Sequence, residues 1–584
     1  MRILFINPLI QKNQKEWAMY APLGILLMSA MLKKEGHEVY FIDGILDELD
    51  GPGMAKISQS IRPDLIGITV NVMQLNYTRE YLREFRKECK DTPIVIGGPF
   101  VSAVRQDIFR CLGEADFAVV GEGEYALLDL VRYLQGKMDI SQVRGLLYHQ
   151  DEEVKGNRPE RIVALDDLPL PDYSVAERYL HEYRGVYPSL ARPSFHMMAT
   201  RGCPFECKFC SSPISWGKQV TSRQVSSIIE EAEMLVSRYG AREIFLQDDT
   251  LNLNKSWFHS LCDSLIQSGL SKSVVLKAPL RANRNLLDKD LLLKAKSANF
   301  GMIFYGVESG SQMMLDRLNK RIGKDEIIRA FRLTHEAGIK SYASFMVGWP
   351  GETQQTVHES YDLVRCLRAD YGGFAVAMPF PGTALYHEVW KLGLADHLNL
   401  EEYDPFQLHI RTEGLTEDEI LKYAADGNEL IEEVAIVKIG RASTVIHQEL
   451  PEDAFQAEIS IEDLPPFMRS NTVVELKVKV KNLGDRVWPA KGLRDGRYQI
   501  HLGYHWLDGD GKTILLWDGL RTPLPYDIQS RETIVLNAKI QSPEIPGSYV
   551  IEFDLVQERV AWFSEKGSQP LKLSIGIIGV RQSY

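Results

Sequence analysis

Three cysteines stand within eight residues in the segment Arg201-Gly202-Cys203-Pro204-Phe205-Glu206-Cys207-Lys208-Phe209-Cys210, with the spacing CxxxCxxC. Thiolate is the ligand type that iron–sulfur clusters select. A ferredoxin that transfers electrons would supply a fourth cysteine nearby. The remaining cysteines are isolated in the sequence, at Cys89, Cys111, Cys262 and Cys366. Three thiolates on a four-iron cluster leave one iron open, and an open iron can bind a substrate or a cofactor.

A zinc site and a disulfide are the simpler alternatives for these cysteines. Structural zinc usually takes four ligands arranged as two short-spaced pairs, and the sequence offers no second pair. A disulfide suits a small secreted domain rather than a long chain with seven cysteines. The spacing therefore favours an iron–sulfur cluster.

Length and charge restrict the class of protein. The 584 residues are enough for about three domains. The net charge of −12, without a long basic run, disfavours a nucleic-acid partner. No apolar run is long enough to span a bilayer, and Met1–Pro8 resembles a buried first strand more than a signal peptide. Few cysteines and an oxygen-sensitive cluster predict a cytoplasmic location.

Residues 1–140 alternate strand and helix patterns. The predicted strands are Arg2–Asn7, Val39–Ile42, Asp64–Val70, Pro93–Ile96 and Phe117–Val120. This alternation predicts an α/β, doubly wound (Rossmann-like) parallel sheet, whose ligands bind at the carboxyl ends of the strands. Those ends carry Thr69, Val70, Asn71, Gly97, Gly98, Pro99, Gly121 and Glu122. The glycines either let the backbone approach a large flat ligand or serve only tight turns.

Residues 141–190 are expected to be a linker, since two prolines in Leu168–Pro171 block regular structure. Residues 191–445 repeat the strand–helix pattern and end in an acidic helical extension. The predicted strands are Phe195–Thr200, Glu243–Gln247, Val274–Ala278, Met302–Val307, Ser341–Val347 and Phe374–Met378. Six such strands predict a partial (β/α)6 barrel with its active site at their carboxyl ends.

Several of these strand ends carry polar side chains. Asp248 and Asp249 follow the second strand and can bind a ligand or cap a helix. Arg281 follows the third, where a guanidinium can hold a carboxylate through two hydrogen bonds or simply be solvated. Glu308 and Ser309 end the fourth. No catalytic residue can be assigned from this pattern.

Residues 455–580 show a different pattern of short alternating strands. The predicted strands are Val473–Val480, Tyr498–Trp506, Thr513–Trp517, Thr533–Ile540 and Tyr549–Gln557. They predict an all-β, immunoglobulin-like sandwich that serves packing or partner recruitment. Trp488, Trp506, Trp517 and Trp562 form either a carbohydrate-stacking surface or, as we favour, core and inter-domain packing.

The CxxxCxxC spacing, with aromatic Phe209 before the last cysteine, resembles the radical S-adenosylmethionine (SAM) superfamily. The resemblance implies a 4Fe–4S cluster on Cys203, Cys207 and Cys210, whose open iron chelates SAM. An electron from the cluster would cleave SAM to a 5′-deoxyadenosyl radical, and a flavodoxin or ferredoxin type of donor would supply that electron. The SAM-binding residues that it implies are Phe209, Asp248, Arg281, Glu308 and Ser309.

The order of segments in residues 1–140 resembles the cobalamin-binding domain that precedes the barrel in one branch of this superfamily. The matching segments are Pro22-Leu23-Gly24, Gly36-His37-Glu38-Val39, Ile66-Gly67-Ile68-Thr69, Gly97-Gly98-Pro99 and Val120-Gly121-Glu122-Gly123-Glu124. The resemblance implies that the strand ends named above hold cobalamin. The Asp-x-His-x-x-Gly motif is absent, so either cobalamin binds without a histidine on cobalt or the domain is vestigial.

Three functions are compatible with the sequence. The first is cobalamin-dependent methylation of an unactivated centre of a small molecule or lipid. The second is radical cyclisation, rearrangement or oxidation on the same scaffold. The third is a non-catalytic cobalamin or SAM sensor, against which the intact cysteine motif and Glu308 argue.

Overall fold

The computed structural model shows two compact units, Met1–Val434 and Ala435–Tyr584. The described residues are 1–10, 20–151, 153–183, 185, 188–394, 411–439, 449–461, 464–490, 497–524, 527–528 and 530–579. Parts of the predicted acidic extension and short segments of the predicted last domain therefore lie outside the described residues. Within the described part of the chain, no helix has the length and hydropathy required to cross a bilayer.

The first unit begins with a seven-stranded sheet. Its strands are β1 (Arg2–Asn7), β2 (Glu38–Asp43), β3 (Leu65–Thr69), β4 (Ile94–Gly97), β5 (Phe117–Val119), β6 (Leu146–Gln150) and β7 (Glu153–Gly156). The order is β2-β1-β3-β4-β5-β6-β7, and the first five strands are parallel. The order reverses between β1 and β3, which is where open sheets of this kind bind ligands.

Helices cover both faces of this sheet. They are α1 (Leu23–Lys34), α2 (Gly51–Ile61), α3 (Leu75–Glu88), α4 (Pro99–Val104), α5 (Ile108–Cys111) and α6 (Gly123–Leu134). Side chains alternate along β1: Ile3 and Phe5 pack in the core that contains α1 and α6, whereas Leu4 and Ile6 pack with α2 and α3. The predicted doubly wound architecture is confirmed.

The sheet extends past residue 140, into the segment expected to be a linker. Strand β6 pairs antiparallel with β5, and β7 completes a hairpin. Leu146 and Leu147 are buried in the two cores that flank the sheet. The second half of the segment forms a 3₁₀ helix, Tyr173–Tyr179, whose tyrosines are buried. The two prolines of Leu168–Pro171 therefore interrupt regular structure only near themselves, and the rest of the segment contains strands and a 3₁₀ helix.

The barrel follows in the same unit. Its strands are β8 (Ser194–Met197), β11 (Glu243–Leu246), β12 (Val275–Pro279), β13 (Phe300–Glu308), β14 (Lys340–Val347) and β15 (Tyr371–Val376), and the short strands β9 (Thr200–Arg201) and β10 (Thr221–Ser222) pair beside them. All six barrel strands are parallel and lie in chain order. Among the described residues β8 and β15 do not pair, so the barrel is open, as predicted.

Nine helices accompany these strands in the described residues. They are α7 (Ser212–Trp216), α8 (Val225–Tyr239), α9 (Lys255–Gln267), α10 (Lys289–Ser297), α11 (Gln312–Arg317), α12 (Lys324–Glu336), α13 (Gln354–Leu367), α14 (Ala384–Leu392) and α15 (Glu417–Ile439). Buried residues from β8 to β14 and from α8 to α13 form one core that continues into the N-terminal sheet. The two regions of the first unit therefore pack as one body.

The second unit is all-β. Its strands are β16 (Ala457–Ile461), β17 (Phe467–Arg469), β18 (Val473–Asn482), β19 (Ile500–Leu507), β20 (Ile514–Leu516), β21 (Thr522–Pro523), β22 (Thr533–Gln541), β23 (Gly547–Gln557), β24 (Ala561–Trp562) and β25 (Leu571–Ile578). One sheet has the order β16-β18-β22, and the other is built on β17-β25-β23-β19-β20. Residues of both sheets share one core. The β-sheet character is confirmed, and the immunoglobulin-like topology stays a prediction.

The four tryptophans of this unit divide between core and surface. Trp488, Trp506 and Trp562 are buried, and Trp488 donates its ring N–H to the Ala454 carbonyl at 3.1 Å. Trp517 is 49% exposed and stacks on His505 with ring centroids 4.6 Å apart. Packing therefore accounts for three of the four.

Candidate functional site

The three cysteines of the CxxxCxxC motif lie on one loop between β9 and α7. Cys203 is buried, whereas Cys207 and Cys210 are partly exposed. The Cys203 Sγ lies 3.8 Å from the Thr250 hydroxyl. Burial raises the pKa of the Cys203 thiol and raises that of Cys210 to about 11. Iron binding must therefore displace protons from these thiols.

The donor set on this loop fits a four-iron cluster better than a single metal ion. Among the described residues, no group of three His, Cys, Asp or Glu side chains has the geometry to hold one ion. An iron–sulfur cluster binds each cysteine through a different iron atom, so its thiolates need not converge on one point. Cys203, Cys207 and Cys210 would hold the cluster, and zinc would lack both a fourth ligand and the tetrahedral arrangement.

Two aspartates hold the flanks of the cysteine loop. Asp248 accepts hydrogen bonds from the backbone N–H and hydroxyl of Thr200, and burial raises its pKa to about 7. Asp249 accepts from the Ser212 hydroxyl on the far side of the loop. The predicted helix-cap alternative is wrong, because Asn254 caps α9 by accepting from the Trp257 N–H at 3.1 Å. A contact of Asp248 with SAM stays a prediction.

The Arg281 side chain contacts the cysteine loop. Its guanidinium lies 3.5 Å above the Phe205 ring, and its Nε donates to Asn283 at 2.6 Å. One Nη donates to the Lys320 carbonyl, and the other lies 3.8 Å from the Cys207 Sγ. The side chain is buried, so the simple solvation alternative is wrong. A two-pronged grip on a SAM carboxylate would require these bonds to break.

We expect the Arg281→Gln substitution to lower the reduction potential of the cluster. A positive hydrogen-bond donor beside a ligating sulfur stabilises the reduced, more negative cluster. An anaerobic redox titration followed by electron paramagnetic resonance (EPR) measures the potential, and Arg284→Gln, an exposed neighbour paired with Asp325, is the control. A tenfold rise in the KM for SAM with an unchanged potential would instead show that Arg281 binds the SAM carboxylate.

Glu308 ends β13 in a strained, buried conformation. Its φ is +67°, which few non-glycine residues adopt, and the register between β13 and β14 shifts beside it. Its carboxylate accepts from the Lys320 Nζ at 2.7 Å, and both side chains are buried. Lys320 also lies 5.6 Å from the centre of the Phe209 ring. Sequence reasoning missed Lys320, because no local motif marks a partner twelve residues away.

The other two predicted SAM-binding residues have different environments. Phe209 makes an edge contact with Trp349, with ring centroids 5.5 Å apart, and packs against the core that contains α3 and α4. Ser309 is buried, and its hydroxyl accepts from the Ser311 N–H at 3.2 Å and lies 3.4 Å from the Ser360 hydroxyl. Phe209 therefore lies where the barrel meets the N-terminal sheet, and Ser309 is used in internal packing.

Several predicted cobalamin-binding residues help to build the turns after β3, β4 and β5, and their contact with cobalamin stays a prediction. Gly98 has φ of +108°, and a Cβ there would lie 2.9 Å from the Val70 carbonyl oxygen. Gly121 has φ of +86° and donates its N–H to the Ser102 hydroxyl. Asn71 caps a short 3₁₀ helix. These observations favour the tight-turn interpretation for Gly98 and Gly121.

Four of the eight predicted residues remain available to a ligand. Thr69 and Gly97 are half-buried, and Asn71 and Pro99 are exposed, all at the carboxyl ends of β3 and β4. Glu122 is engaged by Arg201 at 2.6 Å. His37 lies at the opposite, amino-terminal edge of the sheet, where it contacts the Met1 amino group at 3.2 Å. No histidine ligand to cobalt is therefore expected from His37.

Glu352, in the turn after β14, is a buried carboxylate that sequence reasoning did not single out. One oxygen accepts from the Gly348 and Trp349 N–H groups at 2.6 and 3.2 Å. The other is buried without a hydrogen-bond partner among the described residues. Burial raises the pKa of Glu352 from 4.5 to about 7.

We therefore expect the free energy of unfolding of the wild type to decrease from pH 5 to pH 8 by more than that of Glu352→Gln. The folded protein keeps a proton that the unfolded chain releases above pH 4.5, so this stabilisation is lost as the pH rises through about 7. The difference between the pKa values of 4.5 and about 7 corresponds to a total loss of about 3 kcal/mol, at 1.36 kcal/mol per pKa unit, and most of it falls between pH 5 and pH 8. Urea unfolding at several pH values measures it, with exposed Glu230→Gln as the control. Parallel pH profiles for wild type and Glu352→Gln would contradict the prediction.

Comparisons with known proteins agree with this architecture. Residues 197–364 match the radical SAM superfamily model, and residues 19–131 match the B12 binding domain model. A protein of Pyrococcus horikoshii named "Uncharacterized methyltransferase PH0819" is 29% identical over 69% of this chain and 85% of its own length. The anaerobic magnesium-protoporphyrin IX monomethyl ester cyclase of Cereibacter sphaeroides is 27% identical over 72% of this chain and 68% of its own.

A solved structure shares the same fold. It is the radical SAM methyltransferase TsrM of Kitasatospora setae with cobalamin and a [4Fe-4S] cluster bound, which is 19% identical with a TM-score of 0.60. The similarity covers 74% of this chain and 91% of TsrM. With the two domain matches and the cysteine loop, these comparisons identify the chain as a radical SAM enzyme that carries an N-terminal B12-binding domain. Its cofactors are a 4Fe–4S cluster, SAM and cobalamin.

Proposed function

We propose that this enzyme methylates an unactivated centre of a small molecule or lipid. The main support for this proposal is a pair of contacts between the N-terminal sheet, which would bind cobalamin, and the cysteine loop, which would bind the cluster. Glu122 and Glu124, after β5, contact Arg201 at 2.6 Å, and Arg201 lies two residues before Cys203. Methyl transfer needs both cofactors beside one substrate atom. When bound, the cluster supplies the electron that cleaves SAM, and cobalamin supplies the methyl group.

The chain's own residues would prepare this site. Glu308 would accept hydrogen bonds from the SAM ribose, with Lys320 fixing its orientation at 2.7 Å. Asp248 and Asp249 would keep the cysteine loop in place through their bonds to Thr200 and Ser212. Glu308, Lys320, Asp248 and Thr200 are buried, which excludes water and strengthens their polar contacts, whereas Asp249 is exposed.

Side chains on the barrel strands favour a substrate with an uncharged, apolar part. Alternate residues of β13 and β14, including Phe304, Tyr342 and Met346, are partly exposed, whereas their neighbours are buried. Phe304 and Tyr342 stack with ring centroids 4.9 Å apart. The ion pair between Lys277 and Glu243 is fully buried. These aromatic walls suit a flat or lipid-like group.

A second candidate is radical cyclisation, rearrangement or oxidation on the same scaffold. The similarity to a magnesium-protoporphyrin IX monomethyl ester cyclase favours it, at 27% identity over 72% of this chain. The aromatic lumen would suit such a substrate equally well. The two candidates differ in the fate of SAM: methylation produces S-adenosylhomocysteine together with 5′-deoxyadenosine and methionine, whereas hydrogen abstraction alone produces 5′-deoxyadenosine and methionine without S-adenosylhomocysteine.

The remaining assignments are proposals that follow from the chemistry. A flavodoxin or ferredoxin type of protein would supply electrons, and a reducing cytoplasm would keep the cluster intact. The regions would be 1–140 for cobalamin, 141–190 as a connection that contributes β6 and β7, and 191–445 for SAM. Residues 455–580 would form an immunoglobulin-like module for packing or partner recruitment.

Anaerobic turnover against a panel of apolar and tetrapyrrole compounds tests the proposal. The cobalamin-loaded protein is incubated with SAM that carries a deuterated methyl group and a low-potential reductant. Methylation predicts a product that carries the label, together with equal amounts of S-adenosylhomocysteine and 5′-deoxyadenosine. An unlabelled, cyclised or oxidised product with 5′-deoxyadenosine alone would establish the second candidate instead.

A further inference from the structure

A buried ion triad connects the N-terminal sheet to the cysteine loop. The two Nη atoms of Arg201 each lie 2.6 Å from a carboxylate oxygen, one of Glu122 and one of Glu124. The three side chains are only 4–5% exposed. Glu122 and Glu124 begin α6 after β5, whereas Arg201 ends β9. The triad therefore joins the two regions that the cofactors occupy.

Neighbouring groups keep the triad in one geometry. The second oxygen of Glu122 accepts from the Ile162 N–H at 2.6 Å. The Arg201 guanidinium lies 4.8 Å from the centre of the Trp216 ring, just after the cysteine loop. Arg161 donates to the Arg201 carbonyl at 3.1 Å. Each side chain of the triad has little freedom to move independently of the others.

The link between Arg201 and the first cysteine is also rigid. Gly202 has φ of +92°, and a Cβ there would lie 2.3 Å from the Gln219 carbonyl oxygen. Its N–H bonds to Asp249, which also binds Ser212 beyond Cys210. A displacement of the loop after β5 would therefore shift the cysteine loop rather than be absorbed between Arg201 and Cys203.

We propose that Glu122, Glu124 and Arg201 are positioning residues that couple cobalamin occupancy to the order of the cysteine loop. Glu122, which the sequence suggested as a cobalamin contact, would act through Arg201 instead. Cobalamin that binds at the strand ends would fix the loop after β5, and the triad would carry that order to Cys203–Cys210. This inference rests on the cobalamin binding that the proposed function also requires.

A neutral triad tests the proposal. Removing one partner of a buried ion pair leaves an uncompensated charge, whereas neutralising the whole group is often tolerated. The variant is therefore E122Q/E124Q/R201M, in which the amide of residue 122 can still accept from Ile162. The control is D129N/R144M, which removes another ion pair of the N-terminal sheet, at 2.6 Å, with Asp129 1% exposed.

The measurement is amide hydrogen exchange across residues 199–210, with and without cobalamin, in the full chain. We expect cobalamin to slow this exchange at least tenfold in the wild type and in the control. The neutral variant should bind cobalamin and iron normally yet show less than a twofold effect. If the neutral variant does not fold, the single variant E124Q is used in its place. In E124Q we expect the slowing of exchange by cobalamin to be at least threefold smaller than in the wild type.

Two outcomes would overturn the proposal, and they differ in what else they affect. Full protection of the cysteine loop in the neutral variant would refute the coupling and leave the proposed function intact. Absence of cobalamin binding to the wild type, measured first by gel filtration and absorbance, would refute both the coupling and cobalamin-dependent methylation. Equal loss of protection in the control would show a general loosening of the sheet, and it too would overturn the specific role of the triad.

Discussion

Replacing Cys203, Cys207 and Cys210 with alanine is expected to abolish both the iron–sulfur cluster and the reductive cleavage of SAM. The three thiols are the only cysteines on the loop between β9 and α7 in the described structure. Without them no soft ligand set remains to hold iron. Iron and sulfide analysis after anaerobic reconstitution should fall from about four of each per chain to background.

The remaining cysteines provide a matched control for this result. Cys89, Cys111 and Cys262 are buried in hydrophobic cores, and Cys366 is exposed on α13. Serine at Cys366, or alanine at the buried positions, should leave the iron content and SAM cleavage close to wild type. Cluster retention in the triple variant of the loop would show that the ligands lie elsewhere.

Cobalamin is expected to bind with no protein nitrogen on cobalt. His37 is bound near the Met1 amino group at the amino edge of the sheet, away from the strand ends that would hold the corrin. His196 is buried beneath the Tyr20 ring, and burial lowers its pKa to about 3. EPR of protein loaded with cob(II)alamin should therefore show no nitrogen splitting from a protein histidine, so that ¹⁵N-labelling of the histidines leaves the spectrum unchanged, and binding should approach one cobalamin per chain.

Substitutions distinguish the binding of cobalamin from the coordination of cobalt by a histidine. Bulky side chains at exposed Asn71 or Pro99 should weaken cobalamin binding at least tenfold, because both flank the carboxyl ends of β3 and β4. His37→Ala should leave both the spectrum and the affinity unchanged. Nitrogen splitting that disappears in a histidine variant would contradict the assignment.

The sequence predicted the architecture well where periodicity is strong. Helix α8 coincides with its prediction, Val225–Tyr239, because its apolar residues repeat at helical spacing and Gly240 ends it in a left-handed conformation. The six barrel strands were each predicted to within a few residues. Strand β6 was missed because Leu146–Gln150 is too short to reveal an alternation, and its place in the sheet depends on pairing with β5.

The sequence predicts cluster ligands for the candidate site but not the side chains that hold those ligands in place. The cysteine spacing is local, so the sequence contains it directly. Arg201, Glu122 and Arg281 are visible as residues, but the partners that tie them to the site, Lys320 and Cys207 for Arg281 and the pairing of Arg201 with Glu122, lie 39 to 79 positions away along the chain. Such pairs arise from the packing of the sheet against the barrel, which single-sequence patterns do not encode. Gly98 and Gly121 were ambiguous for the same reason, since a tight turn and a ligand contact require the same residue.

Production of 5′-deoxyadenosine by the reconstituted full chain tests most directly whether this protein is a radical SAM enzyme. Anaerobic protein with SAM and a low-potential reductant is sampled over time by liquid chromatography and mass spectrometry. We expect steady formation of 5′-deoxyadenosine that requires the reductant and is absent in the C203A/C207A/C210A variant. Intact SAM after prolonged incubation with a fully loaded, reduced cluster would contradict the assignment of this chain as a radical SAM enzyme.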